Sequence, residues 1–64
     1  MKTIYVILHT YGQRHVVSIK DEKEKAQQKF DFEVKNTFDK NGILKGNKYT
    51  AENETVELFE KKLR

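Results

Sequence analysis

The chain predicts an α+β fold: an N-terminal β-hairpin, one amphipathic helix packed on one sheet face, and one or two short C-terminal strands, in the order ββαβ or ββαββ. Three observations carry this expectation. Residues 4–11 and 14–19 are rich in β-branched and aromatic residues and flank Gly12-Gln13; Ala26, Phe30, Val34 and Phe38 recur at every fourth position; and beyond Gly42 the pattern breaks into short apolar runs separated by polar turn residues.

The hairpin comes first. Glycine at the first central position of a two-residue loop suits a type II′ turn, which sets Tyr11 opposite Arg14 and carries the register on to His9 with Val16, Leu8 with Val17, Ile7 with Ser18 and Val6 with Ile19. Side chains alternate along a strand, so Ile4, Val6, Leu8, Val17 and Ile19 share one face while Tyr5, Ile7, His9, Tyr11, Arg14 and Val16 share the other. The aliphatic face is the better core on composition. The aromatic face is then surplus to what one helix can cover.

A helix is expected from about Glu22 to Asp39. Asp21 followed by Glu24 matches a capping box, and the i+4 stripe of Ala26, Phe30, Val34 and Phe38 would lie on the aliphatic face of the hairpin, with Asn41-Gly42 as the stop. The segment 29–35 also alternates like a strand, but the unbroken i+4 series without Gly or Pro decides for helix. Phe32 falls about 240° from Ala26 on such a helix and should be exposed, near Lys25 and Lys29. Those three residues form a secondary contact candidate.

In the tail, Ile43-Leu44, Lys48 to Thr50 and Thr55 to Phe59 read as short strands, with Lys45-Gly46-Asn47 and Ala51 to Glu54 as turns. Residues 55–63 also fit a helix, through Val56, Phe59 and Leu63. The strand is favoured because a two-stranded ribbon alone is marginal. If the tail extends the sheet, the aromatic face is open; if it folds across, that face is a second half of the core.

Sixty-four residues make a single domain, 1–64, near the lower limit for a core without staples. With no cysteine there is neither a disulfide framework nor a thiolate metal site, which suits a reducing, cytoplasmic location. The longest apolar run, Tyr5 to Leu8, is far too short for a membrane span of about 20 residues. Behind the formal charge of +3 the two signs are mixed without a single-sign block, although residues 1–19 carry Lys2 and Arg14 and no acid, and lysine far outnumbers arginine, which tilts against base-specific nucleic-acid recognition.

Catalytic and metal chemistry find little support. His9 and His15, the only imidazoles, fall on opposite faces of the hairpin, Ser18 is the sole serine and sits in no nucleophile motif, and the three glycines are too scattered to cradle phosphate. No cofactor, metal or enzymatic activity is expected. The function expected instead is a small protein-binding module, an inhibitor or modulator of a larger protein, whose contact surface is Tyr5, Ile7, His9, Tyr11, Arg14 and Val16. Tyrosine and arginine in that mixture are typical of interface hot spots, and the ribbon edge offers pairing to a partner or to a second copy as a homodimer. The alternative is a weakly basic single-stranded nucleic-acid-binding domain in which Tyr5, His9 and Tyr11 stack on bases.

In size and in Lys- and Asn-rich usage the chain is similar to small proteins of phages and mobile elements of low-GC bacteria, many of which act by sticking to a host protein. The similarity is compositional. It covers no motif and implies no residue roles.

Overall fold

The computed structural model describes residues 2–63. The hairpin is formed by β1 (Lys2–Tyr11) and β2 (Arg14–Lys20), helix α1 spans Lys23–Lys35, and the tail supplies β3 (Ile43–Lys45), β4 (Lys48–Thr50) and β5 (Glu54–Leu63). All five strands join one antiparallel sheet in the order β2-β1-β5-β4-β3. The fold is therefore α+β, ββαβββ, with the expected N-terminal hairpin and one more C-terminal strand than the longer of the two expected orders.

The hairpin register is the one its turn predicts, from Tyr11 opposite Arg14 to Val6 opposite Ile19. Gly12 has φ +60° while Gln13 does not enter the positive region, the pattern of a type II′ turn. The tail repeats the device. Gly46 also has φ +60° and, with Asn47, joins β3 to β4, setting Lys45 opposite Lys48.

β5 is a strand for its full length and not a helix, because it lies between β1 and β4 and pairs with β1 from Lys2–Leu63 to Tyr11–Glu54. A partner ten residues long leaves the helical reading of residues 55–63 nothing to compete with, since each backbone group facing β1 is satisfied in the ladder.

The helix ends four residues earlier than its apolar stripe suggests. Asn36 caps it: its backbone N–H reaches the Phe32 and Glu33 carbonyls and its side chain donates to the Phe32 carbonyl, while the Thr37 hydroxyl donates to Val34 O at 2.9 Å. Such side-chain bonds compete with another helical turn. Glu54 then captures the next two donors, the Phe38 and Asp39 N–H groups. Phe38 consequently leaves the core stripe and is 84% exposed. At the other end the capping box does not form: Glu22 is the N-cap, without a side-chain hydrogen bond.

The largest departure concerns which face the helix covers. Phe30, Ala26, Ile7, Val56, Leu58 and Tyr49 form the buried cluster, with Tyr5, Val34 and Ala51 packed against it. The helix thus lies on the face of Tyr5, Ile7, His9 and Tyr11, and the aliphatic face of Ile4, Val6, Leu8, Val17 and Ile19 is the one left without it. β5 explains the choice. Its register sets Leu58 beside Ile7 and Val56 beside His9 on the helix side, but Glu57 beside Leu8 and Lys61 beside Ile4 on the other. β4 adds Tyr49 opposite Val56. Summed over the central strands, the aromatic side gains apolar area to bury and the aliphatic side gains charges that resist burial.

Candidate functional site

Beneath the helix the core is partly ionic. His9, only 6% exposed, sits with Nδ1 2.8 Å from Glu33 Oε2 and Nε2 2.5 Å from Glu54 Oε2. Both ring nitrogens are thus engaged by carboxylate oxygens from distant segments, one on α1 and one on β5. Lys29 closes one end, its Nζ donating to Glu33 Oε1 at 2.8 Å, and the Phe38 and Asp39 N–H groups close the other, donating to Glu54 Oε1 at 2.8 and 3.0 Å. Lys29, Glu33, His9 and Glu54 follow one another in one chain of contacts that ties α1, β1, β5 and the 36–42 loop together. None of the buried side-chain polar atoms described lacks a partner.

Both carboxylates are held below their ordinary range. For Glu33, burial pushes the value up, but the hydrogen bonds and charges of Lys29 and His9 outweigh it; for Glu54, burial again pushes up and is overcome by the Asp39 N–H, by His9 and by the Phe38 N–H. The cluster is committed to bonds within the fold. Among the described residues no group of three His, Asp or Glu side chains is arranged to hold a metal ion.

The six residues expected to form a contact surface do share one face, but most of them are spent on packing. Ile7 and His9 are buried and Tyr5 is half-buried against the core, because the helix and Leu58 and Val56 of β5 cover them. Tyr11 is half-buried, its ring edge-on to His9 at 5.1 Å and to Phe38 at 6.1 Å. Arg14 and Val16, on the outer strand, remain exposed. Tyr11, Arg14, Phe38 and Glu54 line an open groove of about 790 Å³ where the hairpin turn meets the 36–42 loop. Of the secondary candidates, Phe32 is exposed as its helical position requires, with Lys29 Nζ 5.3 Å from its ring centre. Lys25 pairs with Glu22 at 3.4 Å, and Lys29 is occupied by Glu33.

The free surface of most consequence is the helix-free side of the sheet. The register places Ile19, Val6 and Phe59 in one row across β2, β1 and β5, and Val17 and Leu8 in the next, with Ile4 above them. Val17 is 56% exposed, Ile19 60% and Phe59 40%; Ile4, Val6 and Leu8 are half-buried only by their neighbours in the sheet. More than a third of all residues are charged, yet no charge interrupts this block. Charges begin at its margin with Glu57 and Lys61 and continue across β4 and β3 with Lys48 and Lys45. An uncharged aliphatic centre with a polar margin is the composition of an interface core and rim.

The aliphatic composition of this block was legible in the hairpin alone. Its freedom was not, because Phe59 joins it and the helix avoids it only once β5 is in place. Comparison with protein-family models, curated proteins and solved structures finds no match. No described helix is long and apolar enough to cross a membrane.

Proposed function

We propose that this protein acts by binding another protein, and not by turnover, as a small inhibitor or modulator of its partner. The observation that carries the reading is the helix-free aliphatic face, on which Val17 and Ile19 keep more than half of their surface in water. Contiguous apolar patches of this kind on a small domain mark interaction sites. The contact surface is therefore Ile4, Val6, Leu8, Val17, Ile19 and Phe59. A non-catalytic role accords with the His9 cluster, whose ring nitrogens are both engaged by carboxylates within the fold. A reducing, cytoplasmic setting accords with the absence of cysteine.

The nucleic-acid reading is weaker in this geometry. A stacking platform needs several aromatic rings close together on an open sheet face, but Tyr5 and His9 lie on the helix side, and among the described residues the open face offers only Phe59 and, at the far turn end of the hairpin, His15. Affinity capture from lysate with wild type and with Ile19→Lys tests the proposal, with circular dichroism to verify the fold. Capture that is lost in the variant and insensitive to nuclease supports it. Capture that is identical in both, or that vanishes with nuclease, sinks it.

A further inference from the structure

We infer that the partner adds a strand to the outer edge of β2: an extended segment, apolar through its centre and acidic at both ends. The inference rests on the reading of this chain as a protein-binding module and names how the partner is held. The sheet order leaves two edges, β2 and β3. Tyr11 and Arg14 flank a two-residue turn and exchange both backbone bonds, so by alternation Arg14, Val16, Ser18 and Lys20 turn their N–H and C=O groups to β1, while His15, Val17 and Ile19 turn theirs outward. The Gly12 N–H, donating to the Asn53 carbonyl at 3.1 Å on the opposite flank of β1, follows the same alternation. Donors and acceptors thus face water in a row along β2, at the spacing of another extended backbone.

The two edges are finished differently. β3 has three residues, so only Leu44 points its backbone groups outward, and a short edge with lysine at its end is a poor template. β2 runs for seven residues in unbroken register with β1, and between Arg14 and Lys20 it has no proline, bulge, lysine or carboxylate to turn a strand away. Its apolar side chains are exposed on both faces, Val16 on the helix side and Val17 and Ile19 on the other. A strand laid beside β2 packs against all three at once, which an occupant of either face does not. Charge selects the class of strand. Arg14 and Lys20 close the two ends, no acid precedes Asp21 in the chain, and among the described residues neither base pairs with a carboxylate. Carboxylates opposite both bases are attracted, whereas a second copy of β2 paired antiparallel over its full length sets Arg14 opposite Lys20 at each end and is repelled.

The probe is a synthetic peptide, valine and threonine alternating between two glutamates spaced to meet Arg14 and Lys20, with a lysine-ended version as control. Amide hydrogen exchange followed by NMR reads the contact residue by residue. In the free protein the amides of His15, Val17 and Ile19 should exchange fast and those of Val16 and Ser18 slowly; the glutamate peptide should slow the first three and leave the other two unchanged. It should bind about tenfold more tightly than the lysine-ended peptide. Val17→Pro removes an outward N–H and no bond to β1, so the variant should keep its circular dichroism and lose the peptide. Arg14→Glu with Lys20→Glu should reverse the preference between the two peptides, and serves the same purpose should the proline variant fail to fold. Millimolar glutamate peptide that leaves the three amides unprotected overturns the inference. So do equal binding of the two peptides, binding that survives Val17→Pro, and protection that appears without peptide as protein concentration rises, the mark of a second copy at this edge. If the amides stay unprotected while Ile19→Lys still loses a captured protein, the edge fails and the open face stands. If that variant also captures normally, both fall.

Discussion

On the helix side of the sheet, Ile7, Val56 and Phe30 are almost wholly removed from water around the linked side chains of Glu33, His9 and Glu54; on the other side, Val17 and Ile19 stay more than half exposed although no charge interrupts their block. Judged by the hairpin alone, the more hydrophobic face is the one left uncovered. The comparison teaches that a sheet face is chosen for burial by the sum over all its strands and by whether its polar groups can find partners. The helix side gains Val56, Leu58 and Tyr49 from the tail, and its one awkward residue, His9, is met by Glu33 and Glu54. The open side gains Glu57, Lys61, Lys48 and Lys45, which no element packs against.

The largest effect should come from matched phenylalanines. Phe30→Ala removes a fully buried ring and should cost about 3–5 kcal/mol, enough to unfold a domain of this size, whereas Phe59→Ala should cost about 1 kcal/mol or less in the monomer. Urea denaturation at low protein concentration measures both. Equal costs would mean that the open face is not open.

A second pair compares carboxylates on the two faces of β5. Glu54→Ala leaves His9 Nε2 buried without its partner and removes the acceptor of the Phe38 and Asp39 N–H groups, and should cost about 3 kcal/mol. Glu57→Ala should stay within about 0.5 kcal/mol. Next in size is Gly42→Ala. A methyl group there overlaps the ring of Tyr49, which is buried and whose hydroxyl accepts the Gly42 N–H and donates to the Asp39 carbonyl. Displacing it should cost about 1–3 kcal/mol, and a Tyr49→Phe background, which removes the hydroxyl but not the clash, should relieve little of that cost.

Acid should act through the helix side alone. Glu33 and Glu54 are held below 4.5, their unfolded value, so the unfolded chain binds more protons as pH falls; the stability they supply is complete above that value and is lost as pH drops through their folded values. Thermal melts should therefore show a transition that falls below this range, with a shallower fall in Glu54→Gln. The smallest effect belongs to Val17→Thr, expected within about 0.5 kcal/mol in the monomer.

Local rules made much of the fold readable. Glycine first in a two-residue loop set the register of the hairpin, the i+4 series of Ala26, Phe30 and Val34 marked the helix, and the turn at Gly46-Asn47 divided β3 from β4. Phe32 was placed in solvent by helical angle alone. What escaped reading depended on residues distant in sequence. Phe38 continues the stripe by spacing, yet Asn36 and Thr37 close the helix before it and Glu54, sixteen positions on, takes its N–H. His9 looked like part of a contact surface because neither of its carboxylate partners, 24 and 45 residues away, is visible from the hairpin.

The sequence by itself determined the elements, the type of the hairpin turn, the alternation that sorts Tyr5, Ile7 and His9 from Val6, Leu8 and Ile19, and the surplus of apolar surface over what one helix can cover. Only the tertiary structure decided which of the two faces is the surplus one. Alternation is a property of each strand and can be read locally, whereas burial is won by the face with the greater sum of apolar area and satisfied polar groups. That sum was not complete until β5 had paired with β1 and brought Val56, Leu58 and Glu54 to one side and Glu57, Phe59 and Lys61 to the other.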